Sequence, residues 1–226
     1  MQFDLTTIIC IFTALVSIAG FNNQKLVDDL IFYPPAINRK QQYRFITHGF
    51  IHADVLHLAF NMLALYSFGA ILENIFTLSC IFGSRGKLFY LLLYITALVV
   101  ASIPDYFRYK HSYHFRSLGA SGAVSAVVFA TIVFYPQNPI GLIFIPNVDI
   151  PGFIFGILYL AISVYLDKRG GGTINHSAHF WGAAYGIVFT IVFCQLFSPG
   201  FSVYDNFVNQ LHSMKEVLPL ECDFEK

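Results

Sequence analysis

Charge is what this sequence has least of. Asp, Glu, Lys and Arg make up 12% of its 226 residues, against about 25% in an ordinary soluble domain. Positive and negative residues cancel to a formal net charge of zero. A neutral chain offers no basic face to a phosphate backbone, so nucleic-acid binding is excluded. The N-terminus lacks the basic region and the small-residue cleavage site of a secretory leader, so the apolar run Leu5 to Phe21 reads as a retained span. The four cysteines (Cys10, Cys80, Cys194, Cys222) fit no metal-ligand spacing. Cys10 and Cys194 fall inside apolar runs and read as small hydrophobes, so no disulfide framework is expected. There is no HExxH motif and no repeat at a fixed period.

What the chain has is apolar length, with 56% hydrophobic residues and 25 Phe. Six spans are predicted, at roughly 5–21, 55–72, 88–103, 118–135, 150–166 and 177–197. Each approaches the ~20 residues that a helix needs to cross a bilayer core. None holds Lys, Arg, Asp or Glu before its ends. Helices are the default, because barrel strands are about half as long and alternate in polarity. The expected fold class is an all-α polytopic membrane protein. Residues 1–200 form the membrane domain and 201–226 a short polar tail. Between spans, 24–33 is expected to lie as short helices in the interface. The proline-bearing stretch 136–149 is expected to approach the fifth span in a strand-like form.

The chemically capable residues gather at one depth. If the N-terminal side is called B and the other side A, the second, fourth and sixth spans all start at side A. His57, Ser121 and His179 then lie within about 5 Å of one depth, at 1.5 Å rise per residue. Polar groups at membrane depth are expensive and usually functional. Ser121 with His179 as its base makes a nucleophile–base pair. His57 and Asn61, four apart, share a helix face. They can donate to a developing oxyanion, together with the free backbone amides at the start of the fourth span. Gly182 and Gly186 form a small-xxx-small face that admits a neighbouring helix closely, and Ser121, Gly122, Ser125 and Ala126 offer the matching surface.

Each of these residues also has a plain reading alone: Ser121 as helix-packing filler, His179 as an interfacial cap, Asn61 as interhelical glue. Asp54 and Glu73, at the two ends of the second span, read as end-capping charges. Two other functions compete. A metal-dependent membrane enzyme would draw on His48, His52, His57 and His179, and a multi-pass transporter would line a polar path with them. The matched depth favours the serine chemistry.

Three motifs in order resemble the rhomboid family of intramembrane serine proteases. They are Arg44-Phe45-Ile46-Thr47-His48-Gly49-Phe50-Ile51-His52 running on to His57-Leu58-Ala59-Phe60-Asn61, then Gly119-Ala120-Ser121-Gly122, then Ala178-His179-Phe180-Trp181-Gly182-Ala183-Ala184-Tyr185-Gly186. With the six-span layout the likeness runs from Leu5 to about Phe197. It implies a six-helix bundle, Ser121 as nucleophile, His179 as general base, and His57, Asn61 and backbone amides as the oxyanion hole. It implies cleavage of transmembrane helices of other proteins within the lipid bilayer, with no metal and no cofactor. His48 and His52 match family positions and are read as holding the first loop. Some members carry a Tyr four residues after the serine, stacked on the catalytic histidine; here that position is Ser125. Neither oligomeric state nor natural substrate is implied.

The resemblance also implies a multi-pass protein of a bacterial inner or cell membrane, with its site facing the extracytoplasmic side. The basic residues argue the other way. Side A carries Lys25, Arg39, Lys40, Arg44, Arg108, Lys110, Arg116, Lys168 and Arg169; side B carries Arg85, Lys87, Lys215 and Lys226. The first loop is long, and long loops obey the positive-inside rule weakly. The family orientation is therefore the expectation.

Overall fold

The structure is a computed structural model that describes residues 4–142, 145–170, 174–213 and 220. Six apolar helices make the bundle: α1 (Leu5–Phe21), α5 (Val55–Thr77), α6 (Gly86–Tyr109), α7 (Ser121–Phe134), α8 (Gly152–Arg169) and α9 (His176–Phe197). Among the described residues, α5, α6 with the turn before it, and α9 are each long and apolar enough to cross a membrane; α1 and α7 are shorter apolar helices. The first loop holds α2 (Gln24–Leu30), within the stretch where short helices are expected, and beyond that stretch α3 (Pro34–Ile37) and α4 (Arg44–Thr47). Between α7 and α8 runs an antiparallel hairpin of β1 (Pro139–Leu142) and β2 (Ile145–Pro151), with Ile140 opposite Ile150. This is the extended approach that the prolines predict.

The helix ends follow local chemistry. Asp54 caps α5, its carboxylate accepting from the His57 amide at 2.7 Å. Glu73, near the far end of α5, caps a different helix: its two oxygens accept from the amides of Leu5 and Thr6, each at 2.9 Å, and from the Thr6 hydroxyl. Both acids are end-holding charges, as expected. Helix α6 overruns its expected end at 103 and continues through Pro104 to Tyr109. Pro104 removes only one ladder bond. Asp105 is buried and bonded to Asn175, so its charge does not force the helix to stop.

Helix α7 sits at the centre, with every residue from Gly122 to Phe134 buried. Helices α5, α6 and α9 surround it. Large apolar side chains such as Ile8, Phe12, Leu15, Tyr66, Leu88, Ile157 and Val188 face outward, which suits a lipid solvent. At side B, α10 (Val203–His212) packs on α7 and α9, and Asn206 donates to the Phe134 carbonyl at the end of α7 at 2.9 Å. The rest of the polar tail, 214–219 and 221–226, lies outside the described residues. Cys80 is disulfide-bonded, which corrects the expectation of no disulfide; Cys10 and Cys194 are free thiols.

Candidate active site

The turn before α7 sets the site. Gly119 has φ +110°, a conformation that side-chain-bearing residues rarely adopt. It also leaves no room: a Cβ there would stand 2.7 Å from His57 Cε1. The Gly119 amide donates to the His48 carbonyl at 2.9 Å, and the Ala120 amide donates to His52 Nε2 at 3.3 Å. Because Nε2 accepts, the His52 proton sits on Nδ1 and is donated to Ser17 Oγ at 2.8 Å. On the far side of the loop, Ser102 Oγ gives its proton to the Leu98 carbonyl and so receives one from His48 Nε2 at 3.1 Å. Burial, then the neighbouring His57 and His48, hold His52 down to about 3. Burial holds His48 down to about 4. Both rings are neutral hydrogen-bonding struts at any ordinary pH. They brace the serine turn against α1 and α6, more specifically than a general role in the first loop.

Ser121 is the first residue of α7, so its amide and the next two have no acceptor inside the helix. His179 lies in the first turn of α9. The two helices touch through their small residues. A Cβ at Gly182 would run into the Gly122 carbonyl, and one at Gly186 into the Ala126 carbonyl. The predicted glycine face is thus a contact of backbone on backbone. The start of α9 is fixed separately. Asn175 caps it by accepting from the Ala178 amide at 3.0 Å, while its side-chain amide donates to Asp105 at 2.6 Å and to Ser117 at 3.1 Å.

Ser121, His179 and Asn61 all border one cavity of about 260 Å³, together with Phe60, Ala64, Phe68, Val124, Ser125, Val128, Phe155 and Tyr159. The cavity is mostly apolar in surface, with Asn61, Ser121, Ser125, Tyr159 and His179 as its polar lining residues. No hydrogen bond joins Ser121 to His179 among the described residues; catalytic bonds commonly tighten only around a bound substrate. Asn61 donates one amide hydrogen to the His57 carbonyl at 2.9 Å. His57 is the sequence-predicted residue that does not border the cavity. Its ring packs on Gly119 and meets His52 edge-on, with centroids 4.9 Å apart.

Two features escape the sequence. The first is Tyr159, whose ring lies over His179, with centroids 6.0 Å apart and planes 21° from parallel. It stands within an apolar run of the fifth span, where an aromatic reads as core or lipid-facing. The second is the Asp105–Asn175–Ser117 cluster, whose members are far apart in sequence. The only sequence signal for it is a carboxylate so close to an apolar span. Among the described residues, no cluster of three His, Cys, Asp or Glu is arranged to hold a metal ion.

Comparison with known proteins agrees with this architecture. A family model described as the Rhomboid domain matches residues 39–196. The chain is 26% identical over 181 residues to RHOMBOID-like protein 12, mitochondrial, of Arabidopsis thaliana, covering 73% of this chain and 50% of that protein. It is 29% identical over 143 residues to Presenilin-associated rhomboid-like protein, mitochondrial, of Homo sapiens, covering 61% and 34%. It is 24% identical over 196 residues to Rhomboid protease GlpG of Haemophilus influenzae, covering 83% and 88%. The chain therefore spans half or less of the two mitochondrial relatives but most of the bacterial one. With the matched region running from the first loop through α9, this membrane-embedded helical chain belongs to the rhomboid family.

Proposed function

We propose that this protein is an intramembrane serine endopeptidase that cleaves transmembrane segments of other membrane proteins. One observation supports the reading above all: Ser121 and His179, from separate helices, border the same cavity beside the unpaired amides that open α7. In this reading Ser121 Oγ attacks the scissile carbonyl carbon while His179 takes its proton. The carbonyl oxygen becomes an oxyanion facing the Ser121 amide and Asn61; His57 adds an N–H once its ring turns from Gly119 toward the cavity. His179 then gives the proton to the leaving amine, and a water molecule repeats the sequence on the acyl-enzyme. The His48 and His52 rings are engaged with Ser102, Ser17 and the Ala120 amide, which weighs against their use as metal ligands.

The test is cleavage of a transmembrane substrate by the purified chain in liposomes, beside Ser121→Ala and His179→Ala, with and without a chelator. Each substitution is expected to lower turnover by about 10³-fold or more, with helix content and melting unchanged. Cleavage that survives Ser121→Ala, or that a chelator stops, overturns the proposal.

We also propose that the site faces the extracytoplasmic side. Three of the nine basic residues on side A are engaged within the fold. Arg44 donates to the Asp28 and Ile31 carbonyls, Arg108 pairs with Asp167, and Arg116 pairs with Asp28. The Cys80 disulfide at side B opposes this orientation, since disulfides persist in oxidising compartments. In a background with the four native cysteines replaced by serine, His111→Cys, in the side A loop, is expected to react with a membrane-impermeant maleimide added to intact cells. Protection there, with reaction of Ser84→Cys, reverses the orientation.

A further inference from the structure

We propose that Tyr159 of α8 is the positioning residue for the His179 imidazole, with Ser125 of α7 as its anchor; this rests on the protease reading above. The observations form a closed set. The Tyr159 ring lies beside one face of the imidazole, offset and nearly parallel, with centroids 6.0 Å apart. Its hydroxyl is within 2.7 Å of Ser125 Oγ. Its other neighbours are Phe129 of α7, at 5.5 Å between centroids, and Phe155 one turn earlier on α8, at 5.8 Å. The approach of α8 to α7 is close because residue 156 is glycine: a Cβ there would press on Phe129 at 3.3 Å. Ring, hydroxyl and backbone are each held by a different contact, so Tyr159 presents a fixed plane.

The arrangement depends on what position 125 lacks. A small serine there leaves space beside His179 on α7 itself. The ring that fills it comes from the neighbouring helix, and the serine hydroxyl, facing that ring's own hydroxyl, closes the link. One residue supplies the plane and the other fixes its angle.

A plane on an imidazole has two effects. It restricts the rotation that would turn the ring away from Ser121. It also places π-electron density over a ring that becomes positive when the serine gives up its proton. The other titratable groups near His179 are His176 on its own helix, with centroids 5.9 Å away, and His57 on α5. Helix α7 brings the uncharged Ser121 and Ser125 to the same cavity. Tyr159 is thus the neighbour whose removal changes the stability of the imidazolium without removing a charge.

The experiment uses the full chain in liposomes and compares Tyr159→Phe, Tyr159→Leu and Ser121→Ala. Readouts are substrate cleavage, with kcat and KM separated across pH, and the rate of labelling by a fluorophosphonate, which needs an activated serine but no docked helix. Tyr159→Leu is expected to lower kcat and labelling rate about tenfold or more, with KM within about twofold. Its acidic limb of kcat/KM moves to lower pH, because the imidazolium has lost the ring beside it. Tyr159→Phe keeps the ring, and is expected to keep the wild-type limb and lose about twofold to fivefold in rate. An acidic limb that is unmoved in Tyr159→Leu, or a labelling rate equal to wild type, overturns the assignment. If Tyr159→Leu does not fold, loss of the wild-type limb in the folded Tyr159→Phe overturns it instead. Ser121→Ala separates the two levels: cleavage or labelling that persists in that variant defeats the protease reading itself. Its silence, with Tyr159→Leu behaving as wild type, defeats only the role of Tyr159.

Discussion

The two halves of the bundle are held together by different means. Toward side A, α7 and α9 meet backbone to backbone at Gly122–Gly182 and Ala126–Gly186, and the nearby His48, His52, Asn61 and Asn175 side chains each hold a specific hydrogen bond. Toward side B, the packing is aromatic. Phe189 and Phe193 stack with centroids 4.0 Å apart, and Phe89 meets Phe82, Phe193 and Phe197. Glycine contacts leave a helix no freedom to slide, so they fix where Ser121 and His179 stand. Aromatic clusters bury large area with looser demands on position. Geometry is concentrated at the A half and bulk cohesion at the B half.

This contrast can be broken by substitution. Gly182→Val is expected to have the largest effect, because even a methyl there runs into the Gly122 carbonyl. Turnover should fall by about a hundredfold or more, and stability by roughly 1–3 kcal/mol or beyond. Wild-type cleavage from that variant would show that the helix contact is not what fixes the pair. Asn175→Ala comes next. It removes the cap of α9, worth about 1 kcal/mol, and takes a donor from the buried Asp105. Turnover is expected to drop about tenfold, a larger change than the melting shift alone would give. Phe193→Ala is the reverse case. It should cost about 3 kcal/mol in stability, yet leave turnover per folded molecule within about twofold, since the site is remote. Equal damage to turnover from Phe193→Ala and Asn175→Ala would erase the distinction between the halves.

The sequence was informative wherever chemistry is local or periodic. Each of the six apolar runs finds its helix, because lipid leaves the backbone no alternative to internal hydrogen bonds, although α5 and α6 run on past the expected ends at 72 and 103. The glycine face of α9 is legible because spacings of three and four fix a helix face. Likewise Asp54 and Glu73 announce themselves as charges at the ends of a span. Contacts between helices are not legible in that way. Nothing near Tyr159 in sequence says that its ring reaches His179, since that depends on the angle at which α8 meets α9. The Ala120 amide could not be paired with His52, 68 residues away, without the folded first loop. The apolar run stops at Pro104 while helix α6 continues, for a related reason: the partner that offsets the cost of burying Asp105 is Asn175, 70 residues away. Separation in sequence, rather than weakness of the interaction, hid these features.

The grip of Glu73 on α1 has a consequence for how the protein is made. The first-turn amides of α1 find their acceptor 67 and 68 residues later in the chain. At 5–20 residues per second of synthesis, that acceptor follows roughly 3–14 s behind. Until then the leading helix depends on water or lipid headgroups for those bonds. The newborn chain therefore carries an unfinished seam at its rim, and the ribosome's pace sets the earliest moment at which it can shut.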